Sequence, residues 1–230
     1  MTRLADMTWT GVDESRTTAT VLAIPIGSTE QHGPHLPLST DTDIAVALCE
    51  WLAAANENVV VAPAVAYGSA GEHAGFPGTL SIGQEALELL VVELVRSATD
   101  TYDRVLLVSA HGGNSEPIGR ALRRLQSESR DVYLFSPCWY DDPHAGHDET
   151  SMMLALHPSQ VRMAEAVPGD TRPLAQILSA LRSSGVRALS ANGVLGDPTR
   201  ASVEAGIALL DNIFAELRDA VAAWTKPVEP

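Results

Sequence analysis

The sequence predicts an α/β fold in which a mainly parallel sheet is flanked by helices on both faces. Apolar runs typical of buried strands alternate along the chain with segments whose apolar residues have helical spacing. Such alternation is typical of right-handed βαβ units, which build parallel sheets. Since no linker divides the chain, we expect a single domain over residues 1–230.

The predicted elements follow one another in order. Strands are predicted near residues 20–26, 59–63, 104–109 and 132–135, and helices from about 42, 81, 117 and 149. Pro25 cannot donate to a sheet, so we expect the first strand to be an edge strand or to leave the sheet there. The last third has two apolar helical stripes, at 174–181 and 207–224, which we interpret as core packing.

Composition limits the possible partners. The formal charge of −14 comes from 15 Lys and Arg against 29 Asp and Glu, which argues against nucleic acid as a partner. No stretch is long and apolar enough to span a bilayer, and residues 1–7 lack the features of a signal peptide. We therefore expect a cytoplasmic protein without a membrane partner. Cys49 and Cys138 have no paired spacing, so neither a disulfide framework nor a thiolate metal site is expected.

The polar loop at residues 27–43 carries the densest candidate chemistry. It contains Glu30, His32, His35, Asp41 and Asp43. Imidazole nitrogens and carboxylate oxygens form a mixed ligand set that suits Zn, Fe and Mn, whereas an all-oxygen set would suit Mg or Ca. In the alternative interpretation, Asp41 caps the following helix, and Glu30 and His32 are solvated loop residues.

Further candidate ligands follow the other predicted strands. Six of the seven histidines lie in loops that follow apolar strands, and only His157 does not. Because the loops after parallel strands gather beyond the carboxyl ends of those strands, we expect a metal site at that edge. The residues expected to come within reach of one another there are Glu30, His32, Asp41, His111 and Glu149.

A cluster of carboxylates needs a cation to offset its repulsion. A pair of metal ions ~3.5–4 Å apart, bridged by one carboxylate, would supply it, and Asp41 is the candidate bridge. Such a pair lowers the pKa of bound water toward about 7 and gives a hydroxide nucleophile, so no protein nucleophile is required. His144 is the candidate to pass a proton to the leaving nitrogen. The chain lacks glycine-rich phosphate signatures, which makes a nucleotide enzyme a weak alternative.

Three motifs resemble those of the creatininase family of metal-dependent amidohydrolases: residues 27–38 with Asp41, residues 111–114, and residues 144–151. The resemblance implies one α/β domain with two divalent ions (Zn, Fe or Mn), assembled into homo-oligomers that hydrolyse carbon–nitrogen bonds of amides. By position, it implies that His144 transfers a proton and that the metal ligands are Glu30, His32, Asp41, His111 and Glu149.

One position departs from the family pattern. The creatinine hydrolase of the family has Tyr and Glu after the histidine that matches His111, where this chain has Gly112 and Gly113. The change removes a substrate contact and a carboxylate. Creatinine is therefore not the expected substrate, and the ligand set of one metal ion is left open.

Within the family, the chain is most similar to a peptidase subgroup, through residues 62–68, 71–73, 144–151 and 192–199. This similarity implies release of a C-terminal Val-Tyr-derived dipeptide from a ribosomally made, modified precursor peptide. The residues expected at the substrate are Glu72, His73, Gly112, Gly113 and Asn114. The alternatives are a small-molecule amidohydrolase of the family that acts on a cyclic amide or formamide, and a catalytically silent metal-binding scaffold.

Overall fold

The computed structural model describes residues 2–137 and 142–226 and is built around one parallel sheet. Its strands are β1 (Thr2–Arg3), β2 (Val21–Ile26), β3 (Val59–Val61), β4 (Arg104–Ser109) and β5 (Asp131–Phe135). They lie in the order β1-β3-β2-β4-β5, and each neighbouring pair is parallel. The predicted parallel sheet is confirmed. Cys49 is buried and free, whereas Cys138 lies outside the described residues.

Helices pack on both faces of this sheet. They are α1 (Trp9–Ser15), α2 (Thr40–Ala55), α3 (Gln84–Ala98), α4 (Ser115–Ser127), α5 (His147–Leu156), α6 (Leu174–Ser184), α7 (Val186–Leu189) and α8 (Val203–Trp224). Within residues 2–137 and 142–226, none of these helices combines the length and the apolar character that a membrane span needs.

Two apolar cores lie on opposite faces of the sheet. Strand β2 contributes to both, because successive side chains of a strand point to opposite sides. Val21 and Ala23 pack with residues of α2, α5 and α8. Leu22 and Ile24 pack with residues of α3 and α4. The expected arrangement of helices on both faces is therefore confirmed.

Pro25 does not mark an edge strand. It lies in the central strand β2 and is paired with Val108 of β4, so the expectation of an edge or departing strand is wrong. The other neighbour, β3, ends at Val61, opposite Ala23. Beyond that point, the backbone carbonyl of Pro25 accepts a hydrogen bond from the N–H of Val65 at 2.9 Å. The proline is tolerated because the sheet needs no donor from it where β3 has ended.

The first twenty residues add structure that the sequence did not predict. β1 is only two residues long and extends the sheet beyond β3. Helix α1 follows, with the Thr8 side chain accepting a hydrogen bond from the N–H of Gly11 as its N-cap. Neither segment is long enough to show a clear hydrophobic period.

Candidate metal centre

All five predicted metal ligands meet beyond the carboxyl ends of the strands. Glu30 and His32 follow β2, His111 follows β4, and Asp41 and Glu149 lie in the first turns of α2 and α5. Each of the five is at most 4% exposed, so the alternative of solvated loop residues is wrong. Position 39, not 41, precedes the first residue of α2, and Asp41 is not its cap.

The ligand atoms form two adjacent groups, and a third group of Glu30, His73 and His144 overlaps both. Those of Glu30, Asp41 and His111 lie within 4.8 Å of one another, and so do those of His32, Glu149 and the predicted catalytic His144. Asp41 faces both groups: its Oδ1 is 3.1 Å from His32 Nε2, and its Oδ2 is 3.5 Å from His111 Nδ1. This is the placement that a carboxylate bridging two ions requires.

The loop after β2 orients its own imidazole. His32 Nδ1 lies 3.2 Å from the backbone carbonyl oxygen of Glu30, so an N–H at Nδ1 donates to it and leaves Nε2 facing Asp41. Metal-binding histidines are commonly fixed in this way by a carbonyl on the far side of the ring. Glu149 is held similarly, because its Oε2 accepts a hydrogen bond from the N–H of Ala145 at 2.6 Å.

Several buried oxygens in the centre lack a hydrogen-bond donor. Neither Oε1 nor Oε2 of Glu30 accepts a hydrogen bond from the described part of the chain, and Asp41 Oδ2 does not either. Ring nitrogens lie near these atoms, with His111 Nε2 3.1 Å from Glu30 Oε2 and His73 Nε2 3.2 Å from Glu30 Oε1. A buried carboxylate without donors is costly unless a cation balances it. The residues present therefore fit bound divalent ions.

Charge coupling shifts the pKa values of the imidazoles strongly. Burial alone would lower the pKa of His32, but Asp41, Glu149 and Glu30 together raise it to about 10. Burial acts on His111 in the same way, and the carboxylates around it raise its pKa to about 10 as well. The negative charge of these carboxylates stabilises any cation bound near the imidazoles, whether a proton or a metal ion.

His144 has the opposite character. Burial, with His32 and His73 nearby, lowers its pKa well below the ordinary value. Its Nε2 lies 2.8 Å from the backbone oxygen of Gln31, to which a ring N–H can donate. The unprotonated Nδ1 then faces the centre, 3.8 Å from Glu30 Oε1. A neutral imidazole held in this way can accept a proton and return it.

Gln31 is a site residue that the sequence did not reveal. Its side-chain nitrogen lies 3.0 Å from His73 Nδ1 and donates to the backbone oxygen of Gly193 at 3.0 Å. Its Oε1 accepts from the N–H of Gly33 at 2.9 Å. The side chain thereby ties three loops together around His73 and His144. Only its position between Glu30 and His32 could have singled it out.

The predicted substrate residues occupy different positions. His73 is buried against Glu30, and Glu72 and the glycines 112 and 113 line an adjacent cavity. Asn114 is fully buried and does not line it: its Oδ1 accepts from the N–H of Ser69 at 2.9 Å, and its Nδ2 donates to the carbonyl of Gly27 at 3.0 Å. The structure thus brings Glu72, His73 and the two glycines to the site and places Asn114 behind it.

The cavity over the centre has a volume of about 500 Å³, within the usual range for ligand sites. We call Asp41, His111, His144 and Glu149 its floor and the lining residues of α6 and α7 its wall. The wall has four apolar side chains, Leu174, Leu178, Leu181 and Val186, and one charged side chain, Arg182. The stripe at 174–181 is thus only partly core, since Ile177 is buried whereas its leucines face the cavity. The site combines a charged floor with a mainly apolar wall.

Curated relatives share most of the chain. A family profile described as "Creatininase: Creatinine amidohydrolase" matches residues 5–221. A protein of Mycolicibacterium smegmatis named mycofactocin precursor peptide peptidase is 48% identical over 217 residues, covering 91% of this chain and 86% of the relative. A protein of the same name from Mycobacterium tuberculosis is 44% identical, covering 90% and 86%. Creatinine amidohydrolase of Pseudomonas putida is 28% identical, covering 95% of both chains.

Solved structures of creatininase share the fold over nearly the whole chain. One titled "Creatininase Mn" superposes with a TM-score of 0.82 at 26% identity, covering 98% of this chain and 99% of that one. A glutamate-to-glutamine variant described as Zn-Zn type gives 0.81 at 27% identity, covering 98% of each chain. Relatives with manganese and with two zinc ions thus have the fold that gathers the buried carboxylates and imidazoles here. The chain belongs to the creatininase family and is a metal-dependent amidohydrolase.

Proposed function

We propose that this protein is a peptidase that releases a C-terminal Val-Tyr-derived dipeptide from the modified mycofactocin precursor peptide. The relatives that carry that peptidase name are 44% to 48% identical over about nine-tenths of the chain. The observation that carries the proposal is the placement of two carboxylate–imidazole groups beneath a cavity with an apolar wall. Hydrolysis of an amide next to apolar side chains needs both features.

We assign the five converging side chains to two divalent ions, Zn, Fe or Mn. Glu30 and His111 would hold one ion, His32 and Glu149 the other, and Asp41 would bridge them. When bound, such a pair activates water and polarises the amide carbonyl. The orphaned oxygens of Glu30 and Asp41 support this assignment.

His144 is assigned the transfer of a proton to the leaving nitrogen. Its lowered pKa keeps the ring neutral near pH 7, so Nδ1 is free to accept a proton. Gln31 keeps the ring in place through its backbone oxygen, 2.8 Å from Nε2. Removal of this imidazole should slow the reaction without removing the ions.

The wall of the cavity supports an apolar peptide end as the substrate. Leu178, Leu181 and Val186 line it, and apolar or aromatic side chains gain free energy by leaving water for such a surface. Gly112 and Gly113 also line the cavity, and the space beside Gly112, where a Cβ would meet no described atom within 4 Å, leaves room for a peptide backbone. His73 and Glu72 also line the cavity, and we propose that they contact the substrate there.

The test is incubation of the metal-loaded protein with the modified precursor peptide, followed by mass spectrometry of the products. Release of the dipeptide-derived fragment supports the proposal. Turnover of a cyclic amide or formamide alone would instead favour the small-molecule amidohydrolase, and metal binding without any turnover would favour a silent scaffold. A chelated sample is the control, because activity that survives full removal of the ions would contradict the metal-dependent chemistry.

We also propose that the protein acts in the cytoplasm, where a ribosomally made peptide is available, and that it forms homo-oligomers. Trp9 on α1 is 81% exposed, and with α3 residues such as Leu90 and Leu94 it borders an apolar groove of about 900 Å³. Burial of such a groove between copies would remove apolar surface from water. Light scattering coupled to size-exclusion chromatography measures the subunit number, and a monomer at micromolar concentration would contradict the assembly.

A further inference from the structure

The carboxylate of Glu72, a residue expected at the substrate, reaches a predicted metal ligand. Its Oε1 is 3.7 Å from His111 Nε2, the nitrogen that is itself 3.1 Å from Glu30 Oε2. Glu72 belongs to a short 3-10 turn, Gly71–His73. The residue after Glu72 in this turn, His73, contacts the other carboxylate oxygen of Glu30. Of two consecutive residues in one turn, His73 thus contacts Glu30 directly, and Glu72 reaches the imidazole that contacts Glu30.

We propose that Glu72 is a further ligand of the ion assigned to Glu30, Asp41 and His111. The inference rests on the metal site of the proposed function but not on the identity of the peptide. Without Glu72, three protein ligands surround this ion, and fuller coordination needs additional donors. Glu72 would complete the set with an oxygen from a loop that supplies no other predicted metal ligand.

The backbone near Gly113 makes room for this carboxylate. A Cβ at position 113 would collide with Glu72 Oε1 and with the carbonyl oxygen of Ser69, and it would lie 2.5 Å from His111 Nε2. The carboxylate of Glu72 therefore occupies the space that a side chain at 113 would fill. Glycine at this position is what allows a ligand to reach His111 from the neighbouring loop.

The turn that carries Glu72 packs against the junction between α6 and α7. Gly185, at the end of α6, has a φ of +75°, and a Cβ there would lie 2.7 Å from the backbone oxygen of Glu72. Glycine at position 185 thus lets the end of α6 pack directly against the backbone of Glu72. Three-quarters of the Glu72 side chain is shielded from solvent, with 26% exposed. Glu72 and Glu30 both lie within 4 Å of His111 Nε2, so their carboxylates are positioned to share a cation with that residue.

Coordination of the first ion by Glu72 predicts which metal that ion site prefers. With Glu72, the first ion would have three carboxylates (Glu30, Asp41 and Glu72) and one imidazole, whereas the second would have two carboxylates and one imidazole. Carboxylate-rich sites suit Mn²⁺ better than nitrogen-rich sites do. The ion near Glu72 is therefore the one that should accept Mn²⁺, and Glu72 should strengthen its binding.

The experiment measures Mn²⁺ binding to the full chain and to Glu72→Gln, which keeps the shape of the side chain and removes its charge. Electron paramagnetic resonance of free Mn²⁺ during titration gives the affinity and number of sites, without any need for substrate. We expect Glu72→Gln to weaken one site by at least tenfold and to leave the other unchanged, since even outer-shell changes typically cost ~10–100-fold in affinity. The matched control is Glu116→Gln on α4, whose carboxylate is 73% exposed and pairs only with Arg120 at 3.3 Å in the described part of the chain.

Unchanged Mn²⁺ affinity at both sites in Glu72→Gln would overturn the inference. A raised KM for the peptide together with unchanged Mn²⁺ affinity would leave Glu72 as a substrate contact only. An equal loss in Glu116→Gln would also overturn it, because the effect would then be one of overall charge. If the unaltered protein binds no ion, the metal site of the proposed function fails together with the inference. If it binds two ions and cleaves no peptide, only the proposed substrate fails, and the role of Glu72 is still decided by the titration.

Discussion

Alanine at position 113 should displace His111 in the metal centre, whereas alanine at the adjacent position 112 should not. The Cβ of Gly113→Ala would lie 2.5 Å from His111 Nε2, whereas ordinary contacts begin near 3.4 Å. The ring must therefore move by about 0.9 Å, unless the loop moves instead. The same Cβ meets the backbone oxygen of Ser69 and the carboxylate of Glu72, so it has little freedom to turn away.

The expected magnitude follows from that displacement. A misplacement of about 1 Å in a catalytic constellation can cost about 10²-fold in rate. Overpacking of this kind also costs about 1–3 kcal/mol of folding free energy, which is small enough for the variant to fold. We therefore expect kcat/KM of Gly113→Ala to fall about 100-fold, with a lowered but measurable Tm.

Gly112→Ala is the matched control for the contact with His111, because a Cβ at position 112 would meet no described atom within 4 Å apart from its chain neighbours. Since Gly112 lines the cavity, this variant can change KM, but its kcat and metal content should be unaltered. Initial rates of peptide cleavage over a range of substrate concentrations, together with thermal unfolding of both variants, give the comparison. Equal activity of Gly113→Ala and the unaltered enzyme would refute the steric reasoning. An equal loss in both variants would refute it too, since loop rigidity rather than the contact with His111 would then be the cause.

Four further predictions concern the centre and its supports. Asp41→Ala should lose both ions in elemental analysis and all activity, because Asp41 faces both ligand groups; retention of two ions contradicts the bridge. His144→Gln should keep two ions but lose about 10²–10⁴-fold in kcat, as expected for a proton-transfer group. Because the pKa values of His32 and His111 are raised to about 10, both rings carry protons at pH 7 that an ion must displace. Metal affinity should therefore rise with pH by about tenfold per unit for each proton displaced and level off above about pH 10. Calorimetric titrations in buffers of different ionisation enthalpy measure the protons released on metal binding. Release of no protons would contradict the assignment. Gln31→Leu should leave metal content unchanged but lower kcat, since it removes the side-chain amide that lies 3.0 Å from His73 Nδ1 and from His144 Nε2; unchanged kinetics would mean that the backbone oxygen of Gln31 alone positions His144.

Much of the fold and of the candidate centre could be predicted because both depend on local sequence patterns. The strand near residues 20–26 and the apolar run at 104–109 carry their signals in consecutive side chains. Parallel pairing then places the polar loops after them at one edge, which brought Glu30, His111 and Glu149 together as expected. Their individual roles as ligands stay predictions until metal binding is measured.

The remainder depends on distances that sequence patterns do not encode. Pro25 is compatible with a central strand only because β3 ends early, which is a property of the neighbouring strand. Gln31 gains its role by contacting His73 and His144, which lie 42 and 113 positions away along the chain. The leucine stripe on α6 has the spacing of a core helix, but the chain turns it toward a cavity. Such features follow from tertiary packing, which overrides local pattern.

The division between floor and wall has a consequence for how this enzyme could change. The cation-binding side chains are carried by the loops and helix starts at the edge of the sheet, whereas the apolar wall belongs to the separate helices α6 and α7. Exchanging residues 174–189 as one segment should therefore alter substrate selectivity and leave the cation-binding side chains in place. Swapping this helical pair between relatives is the most direct route to retargeting the hydrolysis toward other amides.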